Sequence, residues 1–139
     1  MDQKKERMER VGRTPLGVNP RQAEDMVGGK IQPQAVDLEQ AVLGAMMLEQ
    51  SAVNSAIDVL KPESFYKEAH KRIFAVIIDL FQKSEPIDIL TVTQALRKSG
   101  DIDLVGGPYY VSQLTTRVAS TANVEQHARI VAQKYIQRE

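Results

Sequence analysis

The stretch that most constrains the fold is residues 67–84, KEAHKRIFAVIIDLFQKS. Its large apolar side chains recur three and four positions apart, a spacing that gathers them on one face of an α-helix. They are Ile73, Phe74, Ile77, Ile78, Leu80 and Phe81. We therefore predict that this helix forms the centre of a helical bundle, with Ile77 and Phe81 in the middle of the core.

The same periodicity predicts five further helices. Asp88 is a predicted N-cap, and Gly100 suits the end of the helix that follows. The β-branched stretch IDILTVT at 87–93 resembles a strand, but that cap and the continuation into QALRKSG favour a helix. The five helices cover residues 36–48, 51–60, 89–98, about 108–118, and the segment that starts at Asn123. The predicted fold class is all-α, a small orthogonal bundle of about six helices.

The first 34 residues have a different composition. They hold three of the six prolines and four of the eight glycines, and their apolar residues are isolated. Such a segment cannot bury enough apolar surface to offset its ordering entropy. We predict a disordered N-terminal tail over residues 1–34 and a helical domain over 35–139.

Charge and composition narrow the function classes. Lys+Arg and Asp+Glu both number 18, and the chain has four tyrosines and no tryptophan, which disfavours a dedicated nucleic-acid surface. The absence of cysteine excludes disulfides and thiolate chemistry. No apolar run approaches the roughly 20 residues of a membrane span, and the N-terminus lacks the apolar region of a secretory signal. We expect a soluble cytoplasmic protein.

The glycine pair in GDIDLVGGPYYVSQL, residues 100–114, could be a phosphate loop or a tight turn. A phosphate site uses the free N–H groups of a helix's first turn, and Pro108 has none to offer. No Lys-Ser or Lys-Thr follows the pair. We predict that Gly106 and Gly107 form a sharp turn and that Pro108 starts the next helix.

A second glycine pair, in GGK at residues 28–30, is similar to the end of a P-loop. The match fails at Glu24, where glycine is needed, and at Ile31, where the Mg²⁺-binding hydroxyl belongs. We interpret these glycines as part of a linker rather than a nucleotide site.

The two histidines, His70 and His127, give no catalytic pattern. His70 lies on a predicted helix near Glu68, where a lone histidine is more often structural or exposed than a catalytic base. A two-histidine metal site would need a third ligand, which nothing in the sequence marks. We predict no catalytic residue, no metal site and no cofactor site in this chain, which favours a helical interaction module over an enzyme.

Five segments, in this order, resemble the N-terminal domain of the bacterial replicative DNA helicase, the DnaB family. The resemblance spans roughly residues 34–138. It departs from the family at Ser84, where glycine is common, and at His127, where an aromatic residue is common. The segments are EQAVLGAMML (39–48), KPESFYKEAHKRIF (61–74), EPIDILTVTQAL (85–96), GGPYYVSQL (106–114) and ANVEQHARIVAQK (122–134).

The resemblance implies an all-helical domain that forms a collar on a hexameric ring. Its implied partners are further copies of itself, through dimer and hexamer contacts, and the C-terminal domain of primase. A helicase loader is a further possible partner that the resemblance implies. DNA would be contacted mainly through the whole hexamer, and no membrane partner is implied. In the family, ATP and Mg²⁺ bind in a RecA-like ATPase domain that this chain does not contain, so we expect no catalysis from it.

Two residues are candidates for the partner interface. Asp37, expected near the start of the first helix, could meet a basic partner, or it could only favour the helix dipole. Tyr110 could contact a partner or pack with Leu114. Since adjacent helical residues point about 100° apart, Tyr109 and Tyr110 cannot both lie deep in the core. An unrelated helical adaptor remains the alternative function.

Overall fold

The computed structural model describes residues 33–118 and 120–138, and within these ranges it contains helices and no strand. The predicted all-α bundle of about six helices is confirmed. Residues 1–32 of the predicted tail lie outside this description. The α-helices are α1 (Pro33–Leu48), α2 (Gln50–Ile57), α3 (Glu68–Gln82), α4 (Ile89–Ser99), α5 (Gly107–Thr116) and α6 (Val124–Arg138), with a short 3-10 helix at Pro62–Ser64.

Helix α3 contributes one continuous buried face to the core, which comprises His70, Ile73, Phe74, Ile77 and Leu80. Ile77 is completely buried, as predicted. The prediction for Phe81 was wrong, because this side chain is only half-buried in the last turn of the helix. The central aromatic pair is instead Phe65 and Phe74, whose ring centroids lie 4.9 Å apart.

The predicted signals at both ends of α4 are confirmed. The backbone N–H of Thr91 donates to Oδ1 of Asp88 at 2.9 Å, and the backbone N–H of Asp88 donates to Oγ1 of Thr91 at 2.9 Å. This reciprocal pair is a capping box. Gly100 follows the helix with φ +84°, the left-handed conformation that glycine adopts without a steric penalty. These two signals explain why the β-branched stretch is helical.

The glycine pair at the start of α5 forms the predicted turn. Gly106 and Gly107 have φ values of +108° and +82°. The backbone N–H of Gly107 donates to the carbonyl oxygen of Ile102 at 2.8 Å, which closes the turn. Pro108 lies in the first turn of α5, where its missing N–H needs no helical partner.

Gly44 brings α1 and α5 into close contact. A Cβ atom at this position would lie 2.1 Å from the carbonyl oxygen of Leu114 and 2.5 Å from Cγ2 of Val118. Only a residue without a side chain allows this approach. Gln40 lies one helical turn before Gly44, so the same approach places the polar side of α1 beside α5.

Candidate functional site

A buried chain of hydrogen bonds joins three helices. Nδ1 of His70 on α3 lies 2.7 Å from Oε1 of Glu39 on α1, and Nε2 of His70 lies 2.6 Å from the hydroxyl of Tyr110 on α5. The side chains of His70 and Glu39 are 0% and 1% exposed, whereas Tyr110 is half-buried. These contacts link residues that lie 31 and 40 positions apart in the chain.

The carboxylate of Glu39 accepts from Nδ1–H of His70. With a neutral imidazole, Nε2 of His70 then accepts from the hydroxyl of Tyr110. The second carboxylate oxygen of Glu39 accepts from the backbone N–H of Tyr66 at 2.6 Å. Each buried polar atom of the pair therefore has a partner, which a buried carboxylate requires.

The position of Glu39 in α1 explains why its carboxylate is buried. It lies four residues after Ala35, three before Val42 and seven before Met46, all of which are buried. This is the spacing of one helix face. Glu39 is thus a charged residue within the apolar stripe of α1. The hydrogen bonds from His70 and from the backbone of Tyr66 offset the cost of burying its carboxylate.

Tyr110 is held on several sides besides its bond to His70. Nε2 of Gln40 donates to its hydroxyl at 3.2 Å, and Nζ of Lys67 lies 5.2 Å from its ring centroid, within range of a cation–π contact. On the flank nearest the turn, a Cβ atom at Gly106 would lie 3.0 Å from Cβ of Tyr110. The glycine before α5 therefore provides the turn and also room for this tyrosine.

The chain of contacts reaches the surface through Gln40. The amide oxygen of Gln40 accepts from the guanidinium of Arg117 at 3.1 Å. Arg117 is exposed, directly after α5. With a neutral imidazole at His70, the donors follow one direction, from Arg117 through Gln40, Tyr110 and His70 to the carboxylate of Glu39.

A carboxylate, an imidazole and a hydroxyl in this order resemble an activated nucleophile. Here the imidazole and the carboxylate are enclosed by the core, and the hydroxyl of Tyr110 already bonds to His70 and Gln40. These hydrogen bonds instead hold α1, α3 and α5 together. Of the two interpretations of His70, structural or exposed, the structural one is right.

Among residues 33–118 and 120–138, no group of three or more His, Cys, Asp or Glu side chains could hold a metal ion.

Asp37 is exposed on α1, and no hydrogen bond or ion pair links it to another described residue. Its expected place at the start of the helix was wrong, because α1 begins at Pro33 and its first turn contains no acidic residue. The interaction with the helix dipole, which falls off within the first turn, is correspondingly weak. Asp37 lies one turn before Gln40, on the side of α1 that approaches Tyr110.

Tyr109 and Tyr110 differ as expected for neighbouring helical residues. Tyr109 is 73% exposed, and its hydroxyl accepts from Nε2 of Gln113 at 3.0 Å. Tyr110 instead packs against the core.

Sequence reasoning identified Asp37 and Tyr110 as candidates but missed Glu39, Gln40 and Arg117. Of the three missed residues, only Glu39 carries a local signal, which is its place in an apolar stripe.

Away from this cluster, two cations are stabilised by carboxylates. The hydrogen bond from Arg72 to Glu68, helped by the charge of Asp101, raises the pKa of the Arg72 guanidinium. The hydrogen bond from Lys83 to Asp79 raises the pKa of the Lys83 ammonium. Both pairs are solvent-exposed ion pairs, which contribute little to stability.

In the described part of the chain, no helix is both long enough and apolar enough to cross a bilayer.

Comparison with known protein families gives a match over most of the chain. The family model of the DnaB-like helicase N terminal domain matches residues 31–133. The replicative DNA helicase DnaB of Rhodothermus marinus is 53% identical over 110 residues, which are 79% of this chain and 12% of the relative. The protein of the same name from Geobacillus stearothermophilus is 40% identical over 114 residues, 82% of this chain and 25% of the relative.

The fold agrees with a solved structure. The crystal structure of the N-terminal domain of DnaB helicase from Mycobacterium tuberculosis matches with a TM-score of 0.72 and 36% sequence identity, covering 77% of this chain and 76% of that one. The structural match thus covers about three quarters of each chain, while this chain spans a quarter or less of the length of the two helicases.

Proposed function

The chain belongs to the family of DnaB-like helicase N-terminal domains, and from this premise we propose that it is the collar domain of a hexameric replicative DNA helicase. In this role it brings copies into a ring and recruits the C-terminal domain of primase at the replication fork. The alternative of an unrelated helical adaptor is excluded by the family match.

The domain itself performs no catalysis in this proposal. ATP and Mg²⁺ bind in the ATPase domain of the whole protein, and DNA is contacted mainly through the assembled hexamer. A helicase loader is a further partner, and the work takes place in the bacterial cytoplasm, where the chromosome is replicated. The observation that carries the proposal is the family match over residues 31–133, together with relatives that are named replicative DNA helicases.

The side of the domain formed by α1 and α5 is the proposed docking face for primase. It carries the exposed carboxylate of Asp37, the partly exposed ring of Tyr110 and the exposed guanidinium of Arg117. Charged groups of both signs beside an aromatic ring suit a specific but modest protein contact, since aromatic and arginine side chains contribute most at interfaces.

A titration of the isotope-labelled domain with the C-terminal domain of the cognate primase tests the proposal. We expect a dissociation constant that is micromolar or weaker, about −8 kcal/mol or less favourable. The isolated domain lacks the multivalent gain that linked sites provide in a ring. Tyr110→Ala should weaken binding while the domain stays folded.

Gln82→Ala is the matched control, because Gln82 is exposed and lies 12 residues beyond His70 on α3, about 18 Å along the helix. Unchanged spectra at high primase concentration would contradict primase recruitment by this domain. Addition of ATP should cause no shift and no hydrolysis, and turnover that remains after contaminants are removed would contradict the non-catalytic role.

A further inference from the structure

We propose that His70, backed by Glu39, is a positioning residue that fixes the ring of Tyr110 in the orientation in which the primase domain contacts it. This inference rests on the proposed function, because it assigns a cause to the shape of the same docking face. His70 touches no partner itself, since it is completely buried. Its effect on binding is exerted through Tyr110.

The geometry of the two rings supports this role. The imidazole of His70 and the phenol ring of Tyr110 are nearly parallel, with an interplanar angle of 15° and centroids 6.0 Å apart. Combined with the 2.6 Å contact between Nε2 and the hydroxyl, this arrangement allows a hydrogen bond close to the plane of both rings. The orientation of the imidazole therefore sets the orientation of the phenol.

The imidazole is itself fixed. Its Nδ1 bonds to Glu39, and its ring meets the edge of Phe65 at an interplanar angle of 80° with centroids 6.4 Å apart. A rotation of His70 would leave the buried carboxylate of Glu39 with one donor fewer, which is costly for a buried charge. The position of Tyr110 is thus determined from within the core.

The surface side of Tyr110 is less constrained. Gln40 and Lys67, its contacts there, are only half-buried and have flexible side chains. Without the bond to His70, the phenol ring would keep these flexible contacts and its packing against the core. Partner binding would then have to restrict the ring to one orientation, and this loss of side-chain freedom would lower the affinity.

The first test is spectroscopic and needs no partner. In the wild-type domain, ¹⁵N spectra of the imidazole should show the proton of His70 on Nδ1 and an unprotonated Nε2. Tyr110→Phe, which removes only the hydroxyl, should shift the Nε2 resonance. Tyr109→Phe is the matched control, because the hydroxyl of Tyr109 bonds to Gln113 on the surface. Equal spectra for wild type and Tyr110→Phe would overturn the proposal.

The second test measures primase binding by calorimetry for Tyr110→Phe, His70→Gln and the double variant. We expect each single variant to bind roughly fivefold more weakly, the equivalent of about one net hydrogen bond, and the double variant to bind no more weakly than either. His70→Gln is compared at a temperature where circular dichroism shows it folded, and Tyr110→Phe provides the same test without a change in the core.

The outcomes separate this inference from the proposed function. If the wild-type domain binds no primase, the proposed function fails, and the spectroscopic test still decides whether His70 fixes Tyr110. If wild type binds and both single variants bind equally well, the positioning role is overturned while recruitment stands. A weaker Tyr110→Phe with an unaffected His70→Gln would mean that primase contacts the hydroxyl directly, which also overturns it.

Discussion

The carboxylate of Glu39 on α1 lies 2.7 Å from Nδ1 of His70 on α3, and neither side chain is accessible to solvent. Because Glu39 also accepts from the backbone N–H of Tyr66, both of its oxygens are used. In Glu39→Gln the amide can accept only one of these bonds and directs an N–H₂ group at the other donor. We expect a loss of about 1–3 kcal/mol in the free energy of unfolding.

Urea unfolding followed by circular dichroism measures this loss. Glu63→Gln is the matched control, because Glu63 is exposed on the 3-10 helix. It should change stability by less than about 0.5 kcal/mol. Equal midpoints for the two variants would show that the pair between α1 and α3 does not stabilise the fold.

Gly44→Ala tests the contact between α1 and α5. The new methyl group would lie 2.1 Å from a backbone oxygen, which cannot move aside as a flexible side chain can. We expect a loss of about 3 kcal/mol, the upper end of the overpacking range, although alanine is the better helix former by about 1 kcal/mol. A variant as stable as the wild type in a urea titration would show that these helices separate without cost.

Ser84, two residues after the end of α3, has a conformation that favours glycine. Its φ is +56°, and the backbone N–H of Glu85 donates to the carbonyl oxygen of Leu80 at 2.9 Å, the pattern of a Schellman motif. Ser84→Gly should raise stability by about 0.5–1 kcal/mol, because relief of left-handed strain exceeds the added entropy of the unfolded chain. Thermal unfolding should show a higher midpoint.

Gly100 provides the reciprocal test at the end of α4. It has φ +84°, and the backbone N–H of Asp101 donates to the carbonyl oxygen of Leu96 at 2.9 Å, the same motif as at Ser84. A side chain at Gly100 would meet no atom within 4 Å, so Gly100→Ser isolates the backbone effect. Its midpoint should fall; shifts of the same sign in both variants would contradict the strain argument.

Phe74 and Phe81 separate what the apolar pattern predicts from what packing decides. Phe74 is completely buried and packs on Phe65, so Phe74→Ala should cost about 3–5 kcal/mol. Phe81 is half-buried, and Phe81→Ala should cost less than about 2 kcal/mol. Denaturant titration of both variants measures which substitution lowers the free energy of unfolding more. The larger loss would come from Phe81→Ala if Phe81 were the centre of the core.

The parts of the fold that sequence predicts are those encoded locally. The N-cap at Asp88, the glycine at the end of α4 and the turn at Gly106 depend on residues a few positions apart, so the sequence indicates them directly. Helix periodicity likewise predicts which face of α3 is buried. It cannot predict that α3 ends at Gln82, just after Phe81, and this boundary decides how deeply that side chain lies.

The candidate site could be predicted only in part, because its members lie far apart in the chain. Nothing near His70 indicates that its partners are Glu39 and Tyr110, 31 and 40 residues away. A charged residue within the apolar stripe of α1 does indicate a buried partner for Glu39. Which partner it meets depends on how the helices pack, and Gly44 sets part of that packing.

Asp37 provides the electrostatic test of the docking face. It is exposed on α1, where a basic partner can reach its charge. Asp37→Ala should weaken primase binding at low salt, and the difference from wild type should shrink as salt rises, because the Debye length falls from about 30 Å at 0.01 M to about 10 Å at 0.1 M. The stability of the domain should stay within about 0.5 kcal/mol of wild type.

Calorimetric titrations at several salt concentrations measure this dependence. Asp58→Ala is the matched control, because Asp58 is an exposed carboxylate directly after α2 rather than on the face formed by α1 and α5. Long-range attraction by the net charge of the domain would weaken both variants equally, since each loses one negative charge. A specific contact at Asp37 predicts that only Asp37→Ala flattens the salt dependence, and equal salt slopes for the two variants would remove Asp37 from the docking face.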